Sequence, residues 1–401
     1  MTEVDKTIQQ AVDRLLLEQG AYSPLELLLA EGRLLYADYE SWRAGESEYL
    51  DEFLFGDVQQ SREFLGQGAA YALDLGLIAE TFSYAKWGGS EDRKLRFSPD
   101  TQFDRLFHTR YHKSAEIPQL DLFMDATGVT LVNGICVALK ERDTAEARRL
   151  LERLFDADPG NSQIGDLELL VRAAEDLCHP VENVTAHLHT LQQELSPLAS
   201  DLLGSGSRDF LAPFWQRLIN ALQDAPFDAE KPEMHASYPA MQLEAWGQVQ
   251  RSIELESAWT EQPLLLRRYA QASGRLQQNE RAACCWFRLC WEFPHQADAI
   301  GREAEPVWRH RWQRFLGLEP ELANQDFPAW SLLEQPVLAS RLADEDCLNE
   351  VEVPEDYLVT ADLVVAGAAA VPVADQIADR KRLKELNPDL FTHYLGRFAR
   401  V

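Results

Sequence analysis

Apolar residues recur along this chain at spacings of three and four, the period of a helix with one buried face. In 3–18 the apolar positions Ile8, Val12, Leu15 and Leu16 share a face, and Gly20 is placed to supply a left-handed cap. Ser23-Pro24 reads as an N-cap followed by proline in the first turn, opening a helix with Leu27, Leu28, Leu34, Leu35 and Tyr39 that runs towards Trp42. Ser98-Pro99 gives the same start signal before Phe103, Leu106, Phe107 and Tyr111. Pro118 opens a further helix with Leu120, Phe123 and Met124. Strand signals are scarce. Residues 358–365 carry β-branched side chains, but the alanines that follow favour helix. Polar breaks at 88–96, 204–207, 227–237 and 344–356 punctuate the pattern.

Two stretches, 129–161 and 263–295, share one layout of paired amphipathic helices. In the first, Leu131, Gly134, Ile135 and Ala138 lie on one helix, Ala147, Leu151 and Leu154 on the next, and Pro159 ends it. The turn 141–144 ends in Thr144, a residue able to cap the second helix. In the second stretch the same positions hold Leu266, Tyr269, Ala270 and Ser273, then Ala282, Trp286, Leu289 and Pro294. Small residues let paired helices cross closely, and large ones fill the gaps between pairs. Pro159 and Pro294 stand 135 residues apart, close to four repeats of about 34, with Pro226 near the midpoint.

This pattern resembles the tetratricopeptide repeat family over two units, most specifically at Ala147 with Pro159 and Ala282 with Pro294. It departs from the family at Leu131 and Leu266, where a tryptophan is usual, and at Ala138 and Ser273, where the first helix normally carries an aromatic. The resemblance implies an all-α, helical-hairpin solenoid whose first helices line a groove. A generic helical-hairpin fold remains the alternative. The expected division is an N-terminal helical block over 1–117, a repeat region over 118–343, and an acidic linker with a helical segment over 344–401.

Carried onto this sequence, the groove positions are Leu264, Arg267, Gln271, Gly274 and Arg275 in the second unit, and Val129, Val132, Cys136, Leu139 and Lys140 in the first. Arg267 and Gln271 resemble part of a carboxylate clamp, since a guanidinium fork and an amide both suit a carboxylate. Arg267, Gln271, Arg275, Lys140 and Leu139 are therefore the expected partner contacts. Residues 308–315 form the densest basic and aromatic run. Trp308, Trp312 and Phe315 share a face there, which fits a core helix with exposed arginines. A second basic cluster is Arg380, Lys381, Arg382 and Lys384.

Composition narrows the function classes. The 401 residues carry a formal net charge of −28, which opposes binding to phosphate backbones and favours basic protein partners. Six scattered cysteines suggest no disulfide framework, and 1–6 has no apolar run, so a reducing cytoplasm is the expected location. The apolar stretch 363–373 is too short to span a bilayer. No phosphate-loop, nucleophile-elbow, His-Glu-x-x-His or dinucleotide motif occurs. Cys284, Cys285 and Cys290 lack zinc-knuckle spacing and suit packing, and His187 and His189 are two apart and do not share a helical face.

The leading expectation is a non-enzymatic scaffold or adaptor that binds a partner peptide or helix and needs no cofactor. The alternative is a helical metal-dependent enzyme or regulator. It would use His108 and His112, four apart on a predicted helix, with Asp121 and Asp125 at the same spacing on the next. A third reading is an acidic, chaperone-like binder of basic partners.

Overall fold

The structure is a computed structural model, and it describes residues 3–19, 21–87, 94–112, 126–343, 351–369 and 376–398. The protein is mostly helical. Among the described residues no helix is long and apolar enough to cross a membrane. The chain divides into two compact units, one formed by 1–225 with 233–245 and the other by 226–232 with 246–401.

Unit 1 contains α1 (Glu3–Gln19), β1 (Ala21–Tyr22), α2 (Pro24–Ala30), α3 (Tyr36–Arg43), α4 (Val58–Asp74), β2 (Ile78–Thr81), α5 (Thr101–Phe107) and β3 (Thr109–His112). It continues with α6 (Ala126–Lys140), α7 (Thr144–Ala157), α8 (Ile164–Glu175), α9 (Val184–Thr190), α10 (Ser196–Leu203), α11 (Ser207–Ala221) and α12 (Ser237–Gln242). The expected face of α1 is in the core, with Ile8, Val12 and Leu15 buried. Ser23 caps α2 as expected, its hydroxyl accepting from Glu26 N at 3.3 Å.

The all-α expectation holds for most of the chain, with one small addition. A small antiparallel sheet, ordered β1-β3-β2, is built into the N-terminal block. Phe103, Phe107 and Tyr111 mimic a continuous helical face, but α5 stops at Phe107. Tyr111 sits on β3 instead, paired with Tyr22 on one side and Ala79 on the other. The helix also starts later than Ser98-Pro99 implied. Its cap is Asp100, which accepts from Gln102 N and Phe103 N at 2.8 and 3.1 Å. The expected helix after Pro118 lies outside the described residues.

Both expected hairpins form. In α6–α7, Leu131, Ile135, Ala138, Ala147, Leu151 and Leu154 are buried. A Cβ on Gly134 would stand 3.1 Å from Leu150 Cδ1, so a small residue sets the closeness of this crossing. Asp143, rather than Thr144, caps α7 by accepting from Glu146 N at 2.9 Å.

Unit 2 contains α13 (Trp246–Glu254), α14 (Pro263–Arg275), α15 (Asn279–Glu292), α16 (Ile300–Glu303), α17 (Pro306–Leu316), α18 (Phe327–Glu334), α19 (Val337–Leu342), α20 (Glu355–Ala368), α21 (Ile377–Leu386) and α22 (Pro388–Phe398). Hairpin α14–α15 repeats the α6–α7 turn. Arg142 and Gln277, two residues past the first helix, are left-handed at φ 57° and 60°. In each, the next N–H reaches back to the same relative carbonyl, Asp143 N to Ala138 O and Gln278 N to Ser273 O, both at 2.8 Å. The turn after α12 has this geometry too, with Glu244 at φ 57° and Ala245 N on Ala240 O at 2.9 Å.

The 308–315 aromatics are core, as their shared face implied. Trp308, Trp312 and Phe315 are buried and pack with Phe327, with Trp312 and Phe327 centroids 4.9 Å apart at 71°. Residues 355–368 are helical, which fits the alanine-rich reading, and 344–350 lie outside the described residues.

The three-part division is replaced by two units for identifiable reasons. Bonds from α3 to Glu141 and Asp209 tie the N-terminal block to the first hairpin region. The C-terminal helices are likewise no tail, because α18 packs against α20 and α22. Asn387, at the start of α22, donates from Nδ2 to Asp326 Oδ1 at 3.0 Å and to Asp356 Oδ2 at 3.1 Å.

Asp326 is buried and accepts from Ala323 N at 2.9 Å. Burial, with Asp356 and Asp389 nearby, pushes its carboxyl up from 3.8 to about 6, against the opposing pull of its hydrogen bonds. A raised folded pKa means that the folded state holds this proton more tightly. Its contribution is full below pH 3.8 and is lost as pH climbs through about 6. Urea unfolding of unit 2 is therefore expected to show stability falling across that window, and Asp326→Asn is expected to flatten the fall.

Candidate functional site

The densest polar constellation is in unit 1, around α3. Tyr36, Tyr39 and Arg43 stand at i, i+3 and i+7 and so share a face of that helix. Tyr36 donates its hydroxyl to Asp209 Oδ1 at 2.9 Å, and Tyr39 donates to Oδ2 at 3.0 Å. Asp209 lies in the first turn of α11, where the helix dipole favours a negative charge. Arg43, with a side chain only 4% exposed, donates from Nη1 to Tyr39 Oη at 2.8 Å, from Nη2 to Glu141 Oε2 at 2.6 Å and from Nε to Ala85 O at 3.0 Å. Arg142 donates from Nε to Asp209 O at 3.0 Å and from Nη2 to Glu40 Oε1 at 2.8 Å. Its guanidinium lies over the Trp87 ring at 3.6 Å. Arg208 reaches Glu26 at 3.3 Å and covers the Tyr36 ring at 4.6 Å.

Burial, and then the Asp209 charge, hold the Tyr36 and Tyr39 hydroxyls well above the ordinary tyrosine value. Burial pulls the Arg43 guanidinium down, but Tyr39, Glu141 and Asp209 outweigh it and the net shift is upward. The tyrosines thus remain proton donors and the arginine remains charged at neutral pH. The arrangement is chemically one of fixed donors around fixed carboxylates.

Beside this network is a cavity of about 170 Å3, whose walls include Ser23, Glu26, Tyr84, Arg110, Lys140 and Gly206. Lys140, an expected contact residue from the sequence, is here half-buried at the end of α6. Burial is the main cause that holds its ammonium below the usual lysine range. The nearby Arg110 adds to this, while the Cys136 thiol and Asp209 oppose it. Leu139 is only 1% exposed and belongs to the core.

A separate groove in unit 1, about 370 Å3, runs between α8, α9 and α11. Its apolar lining includes Ala173, Ala186, Leu191, Leu195, Phe214 and Leu218, and its charged rim includes Arg172, Asp176, Glu182 and Arg217. A π-helical turn over 191–195 follows α9 and puts Leu191 and Leu195 on this lining.

In unit 2, Arg267 and Gln271 do come together on a carboxylate, and it is the chain's own. Arg267 donates from Nε to Glu303 Oε2 at 2.9 Å and from Nη2 to Oε1, and Gln271 Nε2 donates to the same Oε2 at 2.8 Å. Arg275 lies over the Trp246 ring at 5.7 Å. A Cβ on Gly274 would overlap the Glu305 carboxyl, so this face of α14 is packed beneath the segment after α16. Of the first-unit positions, Val132 and Cys136 are buried and Val129 is 56% exposed.

The metal reading loses its helical geometry. His108 lies just past the end of α5, 3.7 Å from Asp104, and His112 is on β3, 3.3 Å from Glu80. The helix ends at Phe107, before both of them, so the four-residue spacing does not set them on one helical face. Asp121 and Asp125 lie outside the described residues. Among the described residues no three histidine, cysteine or acidic side chains are grouped as metal ligands.

The sequence reading missed Tyr36, Arg43, Arg142, Arg208 and Asp209. The Tyr-x-x-Tyr-x-x-x-Arg spacing was the available signal, but its partner lies more than 160 residues away along the chain. Compared with known proteins, the chain matches no family, no curated protein and no solved structure.

Two consequences follow for stability. Asp209→Ala strips the acceptor from two tyrosine hydroxyls and is expected to cost unit 1 about 2–3 kcal/mol in urea unfolding. Arg267→Ala leaves Glu303 without its fork and is expected to cost unit 2 about 1–2 kcal/mol by the same measurement.

Proposed function

We propose that the protein is a non-enzymatic helical-hairpin adaptor that holds an amphipathic, net-basic helix of a partner protein. The observation that carries this reading is the groove between α8, α9 and α11. It combines an apolar lining with a rim of both charges, which is the shape an amphipathic helix needs. Ala173 and Ala186 leave room on the lining, while Phe214 and Leu218 supply its apolar floor. The net charge of −28 favours a basic partner and speeds encounter with it.

The tetratricopeptide-like character is part of the same proposal. What supports it is the recurrence of one turn after α6, α12 and α14, with the left-handed residues at 142, 244 and 277. The first interval is three repeats of about 34, and the second is one such repeat within a residue. The contact face proposed here differs from the one expected from the repeat pattern. Arg267 and Gln271 already hold Glu303, so a partner carboxylate would have to displace it.

Ala186 is exposed on the groove, so Ala186→Trp fills the binding space without touching the core. In affinity capture from the native source, a helical partner is expected with the wild-type chain. It is expected to fall by about tenfold with Ala186→Trp, a loss typical of blocking a central contact, while the melting temperature stays the same. Equal recovery by the two chains would contradict the assignment.

A further inference from the structure

The charged walls of the cavity in unit 1 are unevenly paired. Three carboxylates line it, and each has a partner. Glu26 meets Arg208, Glu141 meets Arg43, and Asp209 accepts from Tyr36 and Tyr39. Three cations line it as well, and only Arg43 among them is paired. Lys140 and Arg110 form no hydrogen bond or ion pair with any described residue. Glu80 stands opposite Arg110 in the β2–β3 register, yet its carboxylate goes to His112 at 3.3 Å.

An unpaired lysine ordinarily runs its stem along the surface and leaves its ammonium in water. Here the stem crosses Gly206 at the start of α11, where any Cβ would overlap it. Glycine at that position therefore lets Lys140 reach the cavity wall. Two unpaired cations are thus held beside one small space, in a chain whose net charge is −28. The Asp209 carboxylate, engaged by Tyr36 and Tyr39, offsets part of their mutual repulsion, and an anion bound between them would offset more.

We propose that this cavity binds a small anion bearing a phosphate group, with the Lys140 ammonium as a point charge and the Arg110 guanidinium as a fork. A phosphate dianion matches both its two charges and its several acceptor oxygens to that pair. The volume of about 170 Å3 lies below the roughly 300 Å3 at which sites for drug-sized ligands begin. The phosphate group enters, and a larger molecule would extend out past the exposed Arg110. This site is independent of the groove between α8, α9 and α11.

The test uses the full chain and inorganic phosphate, with brief acetylation by a neutral N-hydroxysuccinimide ester read lysine by lysine in a mass spectrometer. About 10 mM phosphate, against sodium chloride of equal ionic strength, is expected to slow acetylation of Lys140 about fivefold and leave other lysines unchanged. Phosphate is also expected to raise the melting temperature of unit 1. Arg110→Gln changes an exposed side chain and is expected to abolish both effects while melting normally without phosphate. Equal protection by chloride, or protection that survives Arg110→Gln, would overturn the proposal.

Discussion

Asp209 is the group on which unit 1 turns. One carboxylate accepts both tyrosine hydroxyls of α3, and its own backbone carbonyl accepts Arg142 from the α6–α7 turn. Three segments far apart in sequence are thereby fixed on one residue in the first turn of α11. The constraint is directional as well as attractive. Buried tyrosine hydroxyls need acceptors, and an arginine buried as fully as Arg43 needs charge partners. Here those needs are met by one another, so none of the three segments can shift without leaving a polar group stranded. The left-handed backbone at Arg142 fits this picture, because the conformation costs a non-glycine residue about 1–2 kcal/mol and is held in place by bonds to Glu40 and Asp209.

The two surfaces of unit 1 proposed to bind ligands both border α11. Its N-terminal turn closes the cavity at Gly206 and Asp209, and its later residues Phe214 and Leu218 floor the groove. The polar network anchors the start of this helix while apolar packing shapes its other face. Unit 2 uses its charges differently. Its expected carboxylate clamp is satisfied by Glu303, and its aromatic core around Phe327 absorbs the basic-aromatic run. The charged pattern that looked most like recognition in the sequence is there largely a means of packing.

Much of the fold was legible because it is local. Ser23 announces α2, and the small-large order of 131–154 and 266–289 announces both hairpins. What was illegible is long-range. Tyr111 continues the spacing of Phe103 and Phe107, and only pairing with Tyr22 and Ala79 makes it a strand. Nothing near His108 and His112 signals that the helix ends at Phe107, before either of them. Lys140 was singled out from a repeat position, and its neighbours Arg110 and Gly206 come from elements that no periodicity connects. Side chains whose partners are more than a hundred residues away carry no pattern that one stretch of sequence can express.

The central claim is that a partner helix lies between α8, α9 and α11. Site-specific photo-crosslinking tests it most directly, with a photoreactive amino acid placed at 186 in the groove or at 271 on α14. The account predicts a covalent adduct from 186 to a basic, helix-forming segment of one partner, and none to that partner from 271. Adducts from 271 with none from 186 would contradict it.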